Sequence, residues 1–189
     1  MTAILKVDTI QDTAGNNIIN ESSNTITIGA SGDTISIPSG ATITNSGTAN
    51  GFGGGKVLQV LTATDSTARS TTSGSFVTAS NTLSVDITPS ATSSKIFITA
   101  SFEADTASGA RGFWTIYKDS TNLGAGNGMF TAFSGAGSLD GSSGSLTFLD
   151  SPSSTSELTY AVYMKTNGTT CSMNANTVKG SIVVMEIGA

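Results

Sequence analysis

Apolar and polar residues alternate with a period of two along most of this chain, the repeat of a strand whose successive side chains point to opposite faces. The stretch "KIFITASFEA" (95–104) is the clearest case: Ile96, Ile98, Ala100 and Phe102 share one face, and Phe97, Thr99, Ser101 and Glu103 share the other. Eight further stretches read as strands: "KVLQVLTAT", "TLSVDIT", "GFWTIYKD", "GMFTAFS", "SLTFLD", "ELTYAVYMKT", "TTCSMNA" and "GSIVVMEIG". No helical i, i+3, i+4, i+7 pattern is sustained, and the abundant Ser, Thr, Gly, Val and Ile are poor helix formers. The pattern predicts an all-β protein with an antiparallel β-sandwich over 57–189. "MKTNGTTC" predicts a hairpin with Asn167-Gly168 in a type I′ turn, and "YKDSTNLG" predicts a second hairpin. "GFWTIY" and "SIVVMEI" are apolar on both faces. One face of an antiparallel sandwich usually meets water, so these strands are expected to lay their second face on another subunit.

The first fifty residues differ in texture. Thr-Ile-(Thr/Ser) begins at Thr25, Thr34 and Thr42, and each copy runs into a glycine turn. "VDTIQDTAGNNIIN" (7–20) reads as a degenerate relative turning at Gly15-Asn16. Short repeats cannot bury an apolar face alone; stacked neighbours must do it. A buried isoleucine contributes about 2 kcal/mol, which cannot offset about 1–2 kcal/mol per residue of backbone ordering. Other chains are therefore expected to supply cover. A parallel homotrimer would set Ile26, Ile28, Ile35, Ile37 and Ile43 around a shared axis; a frayed arm of strand-like composition is the alternative. Apart from Phe52, every aromatic residue lies beyond Lys56. The expected organisation is a repetitive β stem over 1–50, a glycine-rich joint over 51–56 (Gly51, Gly53, Gly54 and Gly55), and the sandwich after it.

Composition sharpens this picture. Charged residues are 11% of the 189, against roughly 25% in an average globular chain. Low charge with regular β-branched runs argues for a surface covered by other copies rather than for disorder. Thirteen acids against eight bases give a net charge of −5, so phosphate-backbone binding, which needs clustered Lys and Arg, is not expected. The segment "MTAILKVDTI" lacks the apolar core of a signal peptide, and no run approaches the 18 or so apolar residues of a membrane helix. A soluble protein that inserts into no membrane is the expectation.

Candidate chemistry is sparse. The chain has no histidine, which removes Ser-His-Asp and Cys-His catalysis and the commonest zinc ligand. Cys171, the one cysteine, sits in strand-like "TTCSM" and reads as a buried small hydrophobe. "GFGGGK" departs from the phosphate-loop pattern, which wants glycine where Asn50 stands and Ser or Thr where Val57 stands. Glu103 and Asp105 are two apart and project to one side, a pairing a glycosidase could use and that solvated acids also produce. No cofactor or metal ligand set is expected. Recognition commonly resides in loops held on a rigid scaffold; "DTASGAR" (105–111) and "SGAGSLDGSSGS" (134–145) fit that description, with Asp105, Arg111, Ser138 and Asp140 as candidate contacts. Trp114, mid-strand, reads as core.

"LKVDTIQDTAGNNIIN…NTITIGASGDTISIPSGATIT" closely resembles the N-terminal region of fibre-like virion proteins of tailed phages that infect marine bacteria, cyanobacteria among them. "WTIYKDSTNLG", "LTFLDSPSSTSELTYAVYMK" and the terminal "IVVMEIGA" resemble the head that commonly follows. The resemblance implies a homotrimeric fibre with a thin stem and a jelly-roll-like knob. Its N-terminal part would join other virion proteins at a tail or capsid assembled in the host cytoplasm. The expected function is non-enzymatic adsorption to a host-surface glycan or protein. A decoration or connector that binds only virion subunits is the alternative. A small polysaccharide-cleaving tailspike is a third reading, opposed by the missing histidine and the missing long β-helix.

Overall fold

The computed structural model describes residues 9–11, 13–15, 17–23, 25–29, 31–42, 44, 56–135, 137 and 139–188. Intrachain contacts divide the protein into two compact units, Met1–Asn50 and Gly51–Ala189. The fold is all-β, and every strand pairing among the described residues is antiparallel.

The first unit contains a three-stranded meander of β1 (Thr9–Gln11), β2 (Asn17–Ser22) and β3 (Thr25–Ile28). Gly15, at φ 85°, makes the first turn. The register places Ile10, Ile19 and Ile28 opposite one another in a single row across the three strands. The repeats that begin at Thr34 and Thr42 form no strand over the described residues 31–42. A strand needs a neighbour to complete its ladder of hydrogen bonds, and no strand among the described residues pairs with these copies. The sequence-predicted Ile43, Gly51, Gly53, Gly54 and Gly55 lie outside the described residues, as does Ser138.

The second unit holds β4 (Val57–Asp65), β5 (Arg69–Thr71), β6 (Val77–Thr78), β7 (Ser84–Ile87), β8 (Lys95–Thr106) and β9 (Arg111–Lys118). It continues with β10 (Thr121–Asn122), β11 (Phe130–Phe133), β12 (Leu139–Asp150), β13 (Leu158–Thr166), β14 (Cys171–Met173) and β15 (Gly180–Ile187). Its two sheets are built on β4-β15-β8-β12 and β7-β13-β9-β11; the short strands β14, β5, β6 and β10 extend them. This strand order, two interlocked Greek keys across two sheets, is that of a jelly roll. The inner faces meet in one core, with Ile98, Leu146 and Val184 from the first sheet and Trp114, Tyr160 and Val162 from the second. Trp114 packs 5.8 Å from the Phe102 ring and 5.6 Å from Phe130. A Cβ on Gly112 would fall 2.4 Å from the Trp114 ring and 2.9 Å from the Cys171 Cβ, so only glycine leaves room there.

Glu186 interrupts the inward row of β15 after Ile182 and Val184, yet it is buried. Its Oε1 accepts hydrogen bonds from the Ser90 amide, the Ser90 hydroxyl and the Ser94 hydroxyl, and its Oε2 accepts from Gln59 Nε2 at 2.6 Å. Burial alone would raise its pKa, but these donors outweigh burial and hold it down to about 2. The carboxylate thereby pins the β7–β8 connection to β15.

Two expectations fail here. β13 and β14 do not form a hairpin: β13 pairs with β9, β7 and β6, whereas β14 pairs with β8 and β5 in the other sheet. Residues 167–170 therefore cross between layers, and neither Asn167 nor Gly168 has a positive φ. Asn167 instead clasps Arg111, with its amide bonded to the Arg111 carbonyl and its Oδ1 accepting from the Arg111 amide. Nor does β9 need a second subunit to cover both faces. Trp114 and Ile116 fill the core, while Phe113 and Thr115 are buried on the other side. Lys165 and the β10–β11 connection cover that side, with Thr115 Oγ1 donating to Asn122 Oδ1. The β9–β10 hairpin is present, closed by Asp119-Ser120 with Asp119 at φ 52°.

Candidate functional site

The outer face of the β7-β13-β9-β11 sheet carries a depression of about 660 Å³. Its floor follows from register: Lys165, Phe113 and Thr131 stand in one row across β13, β9 and β11, and Arg111 and Phe133 pair in the row beside it. Asn127, from the β10–β11 connection, and Asn167 supply amides to its wall. The connection is held close by Gly128, whose φ is +74° and whose absent Cβ would meet the Trp114 carbonyl at 2.5 Å. Met129 N then donates to that same carbonyl, and Gly128 N donates to Ala125 O.

Two cations shape the electrostatics. Lys165 Nζ donates to Gly126 O at 2.6 Å and lies 4.7 Å from the Phe76 ring centroid and 5.3 Å from that of Phe113. The Arg111 guanidinium lies 5.1 Å from the Phe133 ring centroid, and the residue is exposed. Among the described residues the ion pairs are Arg69–Asp65 and Lys118–Asp150, so Arg111 and Lys165 keep their charges for other partners. No carboxylate lines the depression. A chain of net charge −5 has thus gathered two of its eight bases at one acid-free hollow. Such a surface can bind and orient a polar anionic group.

Of the predicted recognition residues, Arg111 lines this depression at the start of β9. Asp105 does not sit in a loop: it belongs to β8, is buried, and accepts a hydrogen bond from the Gly141 amide. Asp140 also lies in a strand, β12, rather than in a loop, at a break in register between the Leu139–Thr106 and Ser142–Ala104 pairs. Glu103, the other acid of the pair, is buried and takes both the amide and the side chain of Asn176. Both carboxylates tie connections to β8 and do not face one another across an open cleft. A metal-binding cluster of three or more His, Cys, Asp or Glu is absent among the described residues. Cys171 is buried in β14, and burial pushes its thiol up to about 11. Lys165 and Asn167 were missed because only the β9–β13 register brings them beside Arg111; the outward parity of Lys165 in "LTYAVYMKT" is the one local signal.

Two apolar surfaces remain open. In the first unit Ile26, Ile28, Ile35 and Ile37 are 67%, 56%, 59% and 47% exposed, and Ile10 and Ile19 are exposed beside them. On the outer face of the other sheet, the register aligns Val60, Met185, Phe97 and Leu149 in one row across β4, β15, β8 and β12. Val60 and Leu149 are exposed, as are Val57 and Leu58 at the start of β4. The rows farther along the same face turn to Thr62, Thr99 and Thr147, then to Thr64, Ser101 and Ser145.

No family model matches the chain, and no curated protein matches it in sequence. No helix among the described residues is long and apolar enough to cross a membrane.

Proposed function

We propose that this chain is a non-enzymatic, homotrimeric fibre protein on the virion surface of a tailed phage, anchored through its N-terminal part and presenting the jelly roll for adsorption to a host surface. The observation that carries this reading is the pair of uncovered apolar faces, the Ile10–Ile19–Ile28 row with Ile26, and the Val60–Met185–Phe97–Leu149 row. An apolar sheet face left open to water forgoes the burial that would stabilise it, and contiguous exposed apolar rows mark association surfaces. Identical copies are the partner that the low charge favours, since like-charge repulsion between them is small. Adsorption through three copies of one weak site raises avidity by about 10² to 10⁴ over a single site. Light scattering on the full chain tests the assembly: the expected mass is about 57 kDa, three times the 19.0 kDa chain, and a monodisperse monomer overturns it. Labelled antibody against the jelly roll should decorate intact particles, and absence of the chain from purified particles overturns the virion assignment.

The exposed Val60 and Leu149 on the outer face of the jelly roll also fit a second reading, a decoration or connector that touches only capsid or tail subunits. Adsorption of the purified protein to host cells separates the two: bound protein supports the fibre, and protein that binds particles but never cells supports the connector.

A further inference from the structure

We propose that the Arg111–Lys165 depression is a binding subsite for a saccharide bearing an oxyanion, either the carboxylate of a uronate or a sugar sulfate. The proposal rests on the host-adsorption reading and names its ligand class. Its volume of about 660 Å³ lies within the roughly 300–1,000 Å³ of small-ligand clefts and leaves room for a short oligosaccharide.

Charge selects the anion. Arg111 and Lys165 are diagonal neighbours across β9 and β13, which sets their backbones about 7–8 Å apart. Both project from the outer face of the sheet, and neither is engaged by a carboxylate. A guanidinium presents a planar fork that meets carboxylate and sulfate oxygens in bidentate fashion. Lys165 has one donor committed to Gly126 O, and an ammonium carries three. An anion seated between them is bound by charge-assisted hydrogen bonds against a floor of aromatic carbon.

The remaining lining points to a sugar rather than to a bare ion. Asn127, Asn167 and Thr131 place amides and a hydroxyl around the two cations, the mixed donors and acceptors that ring hydroxyls require. Phe113 is nearly buried and Phe130 half-buried, so they offer ring edges for the CH face of a sugar rather than a broad stacking platform. The lining of the hollow lacks the paired carboxylates that glycoside cleavage requires, and the ligand is held without being cut.

The test is calorimetric titration of the full chain with oligogalacturonate, with a kappa-carrageenan oligosaccharide, which carries sulfate and no carboxylate, and with maltohexaose as a neutral oligomer of similar size. Binding to either anionic oligomer and not to the neutral one is expected, and the arm that binds names the oxyanion. R111Q should weaken that binding at least about tenfold, K95Q on the opposite sheet should leave it unchanged, and higher salt should weaken the wild-type interaction. The salt titration needs no variant, so it judges the proposal even if R111Q folds poorly. Equal binding of maltohexaose, insensitivity to salt, or equal losses in R111Q and K95Q overturns the anionic subsite. If no oligomer binds while the protein still adsorbs to host cells, the subsite fails alone; failure to adsorb to cells overturns the adsorption reading itself.

Discussion

The two units are written in the same alternation of aliphatic and β-branched polar residues, yet they treat their isoleucines oppositely. In the jelly roll Ile96, Ile98, Ile116 and Ile182 are fully buried; in the first unit Ile26 and Ile28 stay more than half exposed. The strands do not explain the difference, since β3 pairs with β2 in regular register. The second layer does. Each inward row of the jelly roll meets another sheet, whereas among the described residues of the first unit no second sheet faces the meander. A period-two pattern specifies that a face exists and leaves open what covers it.

The largest way to test this contrast is at the covered side. Trp114→Ala should cost about 4 kcal/mol, read from the denaturation midpoint, and the loss should be the same at every protein concentration because the cover is intramolecular.

Next comes the buried carboxylate. Glu186→Gln should cost about 3 kcal/mol, since the donors on Ser90, Ser94 and Gln59 lose a charged acceptor. The sign of the pH effect follows from a folded-state pKa of about 2 against an ordinary 4.5. Its stabilisation is fully present above about pH 4.5 and is lost as pH falls through about 2. Acid titration of stability should therefore be steeper in the wild type than in E186Q across that window, and parallel curves would show that Glu186 contributes no acid sensitivity.

At the open side the readout changes. Ile26→Ser with Ile28→Ser should leave the melting of the jelly roll unchanged and shift the light-scattering mass toward the monomer. These two side chains forfeit about 2 kcal/mol each of intermolecular burial per chain. A mass that stays trimeric would place the association on the outer jelly-roll face, where Phe97→Ser should then dissociate it without unfolding.

The smallest expected effect is local to the second unit. Ser153 is exposed at φ 52°, and Ser153→Gly should raise stability by up to about 1 kcal/mol. A decrease would show that Ser153 is held in that conformation by a contact it makes.

Strand identity was written locally, and the alternation grouped Ile96, Ile98, Ala100 and Phe102 on one face of β8, the face that the fold buries. The same logic misread Glu186 as one position in an apolar run, because nothing near it in sequence reveals that Ser90 and Ser94 will converge on it from 92 and more residues away. It also misplaced Asp105 and Asp140, since small residues read as loops although β8 and β12 run on past them, Asp105 pairing with Ser172 of β14 and Asp140 lying at a break in the β8–β12 register. Asn167-Gly168 shows the limit most clearly. The dipeptide favours a tight hairpin, but β13 finds better partners in β9 and β7, and the turn becomes a crossing between sheets. Of the candidate site, Arg111 was legible as a candidate contact at the end of the small-residue stretch 105–111. Its neighbours Lys165 and Asn167 were not, being 54 and 56 residues distant in sequence and adjacent only through pairing.

The all-β class and most strands of the second unit, with the residues that share a face, followed from the chain alone, because each depends on residues one or two apart and on side chains that alternate by covalent geometry. Which strands pair, which polar groups are satisfied inside, and where two cations meet were decided in three dimensions. Those outcomes depend on register between segments far apart in sequence, and pairing energy outweighs the preferences of any single turn.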